Sequence, residues 1–184
     1  MILTILQHTP LWVWALLAGL LALGLAQTRE RSMTLLRLLV VPLLLLALSL
    51  AGVVGTFGGT PMALAAWALG LGLALFFGRH IVRPRGASWS AASRRMQLPG
   101  SWLPLLLIVG LFAVKYLVGV SLAIEPRLAA DPSFAGGCGL AYGGFSGLFL
   151  ARALALYAVV RRSVGAAVAQ QVAVGLPEAR RPSF

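Results

Sequence analysis

The sequence predicts an all-α fold: an integral membrane bundle of five transmembrane helices, with the N-terminus outside and the C-terminus inside. Three observations predict it. The chain is 60% hydrophobic and only 10% charged, whereas about a quarter of the residues in soluble domains are charged. Apolar runs recur at roughly 10–27, 35–57, 61–79, 102–124 and 137–160, each near the ~20 residues that cross a bilayer as a helix. The arginines fall in alternate connections, the pattern that orients a bundle. With 184 residues, the chain has room for these spans and short connections as one membrane domain, 1–184, and for no separate soluble domain.

Each element has its own local justification. Helix 1 opens at Thr9-Pro10, where a missing N–H costs little. No basic residue precedes it and the first arginine is Arg29, so it reads as an uncleaved N-out anchor rather than a signal peptide. Helix 2 carries Pro42 within its apolar run, which is expected to kink it or loosen its first turns. Helix 3 starts at Thr60-Pro61, and helix 4 starts near Ser101 and Pro104. Between them lies the longest polar connection, the cytoplasmic loop 80–101. In it "ASWS" and "RMQLPG" flank a polar turn, which fits a small hairpin with Trp89 and Leu98 at the interface, or a structureless basic loop. Helix 5 is followed by a cytoplasmic tail, 161–184, of weak helical character up to Pro177.

The charges orient the bundle. Arg29, Arg31 and Arg37 follow helix 1; Arg79, Arg83, Arg85, Arg94 and Arg95 follow helix 3; and Arg161, Arg162, Arg180 and Arg181 follow helix 5. The connection Phe57 to Pro61 is uncharged, and Glu125 to Phe134 has one arginine against two acids. The basic segments therefore share the cytoplasmic face, where anionic lipids are the expected partner. This accounts for the formal charge of +11 without nucleic acid, which is excluded as a partner class. The dominance of arginine, alanine, glycine and leucine suits a GC-rich bacterial source, so the expected location is a bacterial inner membrane.

Small residues supply the packing pattern. Gly139, Gly143, Gly147, Ala151 and Ala155 recur every four residues in helix 5, as do Ala66, Gly70, Ala74 and Gly78 in helix 3, and Ala47, Ala51, Gly55 and Gly59 in helix 2. Lipid gives helices no hydrophobic drive to associate, so close backbone approach along such stripes is a main source of cohesion. The stripes are expected to be helix contacts, within one chain, in a homodimer or with a membrane partner.

Two cations stand inside the apolar runs. Lys115, the one lysine, lies near the middle of helix 4, and Arg152 lies nine residues before Arg161 in helix 5. A lysine at mid-bilayer costs roughly 2.5–3.5 kcal/mol by insertion scales, so it needs a reason. The acids Glu30, Glu125, Asp131 and Glu178 all fall outside the spans. That leaves snorkelling, helix-end carbonyls, a neutral lysine or an external anion. The expected ligand-binding set is Lys115 and Arg152 with the hydroxyls of Tyr116, Tyr142 and Ser146, the two cations lying within one or two turns of each other in depth.

Other chemistries lack their residues. Cys138 is the single cysteine, so no intrachain disulfide or thiolate metal cluster forms. His8 and His80 lie on opposite sides of the bundle and cannot share a haem iron. No HExxH, GxSxG or Walker loop is present. No metal, no cofactor and no catalytic residue is expected, and general acid–base chemistry would rest on Lys115 and tyrosines alone.

The phrases "QHTPLWVWALLA", "PGSWLPLLL", "VKYLVGV" and "YGGFSGLFLARAL" resemble a family of small multi-pass bacterial membrane proteins known only as a domain of unknown function. The resemblance covers nearly the whole chain, implies an inner-membrane location, and brings no catalytic residue with it. Two functions stay open. One is a bundle that binds or moves an anionic ligand or lipid headgroup between helices 4 and 5. The other is a non-catalytic structural or accessory protein that associates through its Gly/Ala stripes.

Overall fold

The computed structural model describes residues 10–82, 86–90 and 95–175. Arg83, Arg85, Arg94, Arg180 and Arg181, which entered the reading of topology, His8, which entered the argument against a haem iron, and Glu178, one of the four acids, lie outside the described residues. Five α-helices are present among the described residues: α1 Leu11–Ala26, α2 Leu35–Phe57, α3 Pro61–Ile81, α4 Leu103–Ile124 and α5 Pro132–Gly175. The first four begin and end within two residues of their apolar runs. Helices α2 to α5 are long and apolar enough to cross a membrane, which marks the chain as a membrane protein, while α1 is shorter at 16 residues.

The fold is mostly helical but departs from all-α in one place. Three short strands, β1 Arg31–Thr34, β2 Ser88–Ser90 and β3 Arg95–Leu98, form an antiparallel sheet in the order β1-β3-β2. β2 and β3 are the two arms read as a possible hairpin, pairing Trp89 with Met96. β1 lies in the connection after α1, where four residues, "RSMT", are too few to show a period. Its register, Met33 opposite Met96 and Arg31 opposite Leu98, gives both loops backbone partners they would otherwise lack. Alternation along β3 turns Met96 and Leu98 inward and leaves Arg95 and Gln97 exposed. The inward face packs on Leu38 of α2 and on Leu156 and Val160 of α5. One end of the bundle is therefore closed by a sheet that gathers the connections after α1 and α3, and with them Arg29, Arg31, Arg37, Arg79 and Arg95.

Helix α5 differs most from its run of 137–160. It starts five residues earlier, at Pro132, and continues to Gly175, through what was read as tail. The early start has a clear cause: the Asp131 carboxylate accepts the N–H groups of Ser133 (2.7 Å) and Phe134 (3.0 Å), an N-cap with proline at the first helical position. The late end follows from the lack of any proline before Pro177 and from good helix formers in "VRRSVGAAVAQQ". A 3-10 turn, Pro126–Ala130, links α4 to this cap.

Pro42 lies buried inside α2, and the helix runs through it without a break. Gly58 ends α2 in the left-handed conformation, at φ 62°, where a side chain would be strained. At this second end Val53, Phe57, Ala63, Val118, Ala135, Cys138 and Tyr142 form a core that joins α2, α3, α4 and α5. Phe57 meets Phe134 edge-on with centroids 6.2 Å apart.

α5 is the axis of the bundle, packed most extensively on α3 and next on α2. Gly139 and Gly143 approach α3 so closely that a Cβ would collide with the carbonyl oxygens of Ala63 and Trp67. At Gly147 it would lie 2.6 Å from Ala74 Cβ, so the two backbones pack with nothing between them.

Candidate functional site

The polar centre of the bundle is a junction of four helices. The indole Nε1 of Trp67 (α3) donates to Ser49 Oγ (α2) at 3.1 Å, and that hydroxyl donates to the Tyr142 carbonyl (α5) at 3.3 Å. Lys115 of α4 places its ammonium over the Tyr142 ring, 4.7 Å from the centroid. On its other side stands Gly52 of α2, where a Cβ would be 3.4 Å from Nζ. Ser49 and Tyr142 are buried, while Lys115 remains exposed along its side chain. Helices α2 and α4 barely touch each other, so Lys115 reaches across a gap between them.

Lys115 is nine residues from the α4 end at Ile124 and twelve from Leu103, or about 14 and 18 Å at 1.5 Å per residue. It is therefore close to mid-depth. Arg152 stands elsewhere: its Nη1 donates to Ser101 Oγ at the foot of α4, 3.4 Å away. Ten residues separate it from Tyr142 along α5, about 15 Å or nearly three turns, which corrects the expectation that the two cations lie within one or two turns of each other in depth. The antiparallel run of α4 against α5 explains this. Ser101 meets Arg152, Gly110 seats the Phe145 ring 2.7 Å from a would-be Cβ, and Lys115 meets Tyr142.

The other members of the expected set divide accordingly. Ser146 is buried one turn from Tyr142. Tyr116 stacks on Phe112 with ring planes 12° apart, beside Lys115 in sequence but with its ring paired along α4. The structure thus brings together Lys115 and Tyr142, places Ser146 nearby, and sets Arg152 apart. Ser49 and Trp67 were missed, although a serine amid "LLLLALSLAGVV" and the one tryptophan of α3 are the polar signals such helices offer. Of the small-residue stripe, Gly139, Gly143 and Gly147 contact α3, as does Ala151, which meets Gly78. Ala155 instead lines an open groove where α3 nears its end.

At the basic end a second cluster forms around Arg152. Arg31 Nη2 donates to Gln27 Oε1 at 2.9 Å, and the Ser101 N–H donates to the Gln27 carbonyl at 3.1 Å. Burial lowers the Arg31 guanidinium from its ordinary value, and Arg31 and Arg152 are close enough to repel each other. Among the described residues neither Arg152 nor Lys115 has a carboxylate partner. No group of three or more His, Cys, Asp or Glu able to hold a metal occurs among them.

The family model of DUF6622, described as a family of unknown function, matches residues 1–170. The chain belongs to this family. Its coverage takes in all of α1 to α4 and most of α5, so the junction, Lys115 and Arg152 lie within the matched region. No curated protein and no solved structure matches the chain.

Proposed function

We propose that this DUF6622 member crosses a bacterial inner membrane five times, with N-terminus outside and C-terminus inside, and binds an anionic, phosphate-bearing ligand such as a lipid headgroup along the α4–α5 seam. The observation that carries this reading is the pair of cations in that seam, Arg152 near the basic end and Lys115 at mid-depth, each with a neutral partner only among the described residues. A ring under an ammonium contributes about 0.5–2 kcal/mol, less than the roughly 2.5–3.5 kcal/mol cost of a lysine at that depth. An anion offsets the remainder. The gathering of arginines at the sheet-capped end supports the orientation. Helix α1 lies along α4, with Gly24 pressed on Leu105, which supports counting it as a span despite its length.

The test is native mass spectrometry of the purified protein with phosphatidylglycerol or phosphatidylcholine added, comparing wild type, Lys115→Met and Arg152→Gln. Preferential retention of the anionic lipid by wild type, lost in both folded variants, is the expected result. Identical adducts in all three would sink the reading.

The accessory-protein reading keeps one supporting observation. Ala47, Ala51 and Gly55 of α2 are exposed, and a Cβ on Gly55 would point into open space. A homodimer through this face should crosslink as Gly55→Cys in a Cys138→Ser background; a monomer would not.

A further inference from the structure

A groove of about 1020 Å³ opens between the end of α3 and α5, on a different part of α5 from the Lys115 contact. Its walls are apolar, with Leu75 from α3 and Leu154, Ala158 and Val159 from α5, and its rim carries Arg79, His80 and Arg162. The room exists because α5 presents alanines here, Ala151, Ala155 and Ala158, opposite the last turns of a shorter helix.

Arg79 is held in place before any ligand arrives. Its guanidinium lies 4.8 Å over the Phe76 ring, and its Nε donates to His80 Nε2 at 3.1 Å. These contacts use the flat face and one N–H, and leave the terminal nitrogens of the fork without a partner among the described residues. A fixed guanidinium with a free fork is suited to two phosphate oxygens at once. Accepting from Arg79 at Nε2 leaves the His80 Nδ1 as the N–H donor. Arg162 adds a second full positive charge, and among the described residues no carboxylate lines the groove.

We infer that this groove is a binding site for an anionic phospholipid, its phosphate on Arg79 and Arg162 and an acyl chain along Leu75, Leu154 and Val159. A soluble anion would use the rim alone and leave the apolar walls empty. A zwitterionic lipid carries a choline or amine that the two arginines repel. This site is separate from the seam of Lys115 and Arg152 and stands without it.

The experiment is thermal unfolding of delipidated protein in a neutral detergent, with phosphatidylglycerol, phosphatidylcholine or glycerol phosphate added. Wild type is expected to gain several degrees from phosphatidylglycerol and at most a third of that from either control. Arg79→Gln with Arg162→Gln should lose at least half of the gain, as should Ala158→Leu, which fills the apolar part and leaves the rim intact. Lys115→Met should keep the groove's share, which separates this site from the seam. An equal gain from glycerol phosphate would overturn the lipid assignment, and an undiminished gain in both the double variant and Ala158→Leu would overturn the site.

Discussion

Ser49→Ala tests whether the four-helix junction holds the bundle together. The substitution removes the donor to the Tyr142 carbonyl and the acceptor of the Trp67 indole N–H. Interhelical hydrogen bonds in membranes average about 0.6 kcal/mol and reach about 1.7, and an N–H left without an acceptor adds to the loss. The expected cost is about 1–2 kcal/mol, from two bonds plus the stranded indole. Trp67→Phe removes the indole donor, so Ser49→Ala in that background should cost less, with a coupling energy of about 0.5–1 kcal/mol. The assay is reversible unfolding by sodium dodecyl sulfate in mixed micelles, followed by circular dichroism. Additive costs, or a Ser49→Ala variant as stable as wild type, would refute the junction as a source of cohesion.

Three more perturbations probe other parts of the same argument. Gly143→Leu drives a side chain into the Trp67 carbonyl and should destabilise the bundle by more than about 3 kcal/mol or prevent folding, while Gly55→Leu, with open space around it, should be near neutral in the same assay. Asp131→Ala removes the acceptor for two α5 N–H groups and should cost about 1 kcal/mol, read as faster amide exchange at Ser133 and Phe134. Met96→Ala empties a fully buried position under the sheet and should cost about 2–5 kcal/mol, seen as proteolysis between residues 86 and 100 while the helices stay protected.

The helices were readable from the sequence because lipid imposes one rule on every span: long apolar runs with internal hydrogen bonding. Strand β1 was not, since Arg31 to Thr34 pairs only with β3, more than sixty residues away, and four residues carry no period of their own. The start of α5 was readable in principle. Asp131-Pro132 is a cap followed by a first-turn proline, but the weight given to the apolar run placed the start later. At the site, Lys115 announced itself as an unmatched charge. The partner it takes, the face of Tyr142, depends on how α4 and α5 register, which no spacing within either helix fixes. Arg152 was misplaced for the same reason: α5 runs antiparallel to α4, so Tyr142 meets Lys115 at the middle of α4 while Arg152, ten residues on, meets Ser101 at its foot.

Lys115 separates the two functional readings by the sign of one energy. As a packing device alone, it is a poor one: the Tyr142 ring offers about 0.5–2 kcal/mol against an insertion cost of roughly 2.5–3.5 kcal/mol. Lys115→Met keeps a long flexible apolar side chain, and among the described residues Lys115 has no hydrogen bond to lose, its ammonium lying over the Tyr142 ring and beside Gly52. In delipidated protein the variant should therefore equal or exceed wild type in stability, by up to about 2 kcal/mol from that difference. Adding phosphatidylglycerol should reverse the order, because only wild type has a charge for the lipid to neutralise at that depth. A variant less stable than wild type by more than about 1 kcal/mol without any lipid would mean the opposite: the ammonium holds α4 to α2 and α5 more strongly than a ring contact allows, and the lysine belongs to the architecture rather than to a ligand.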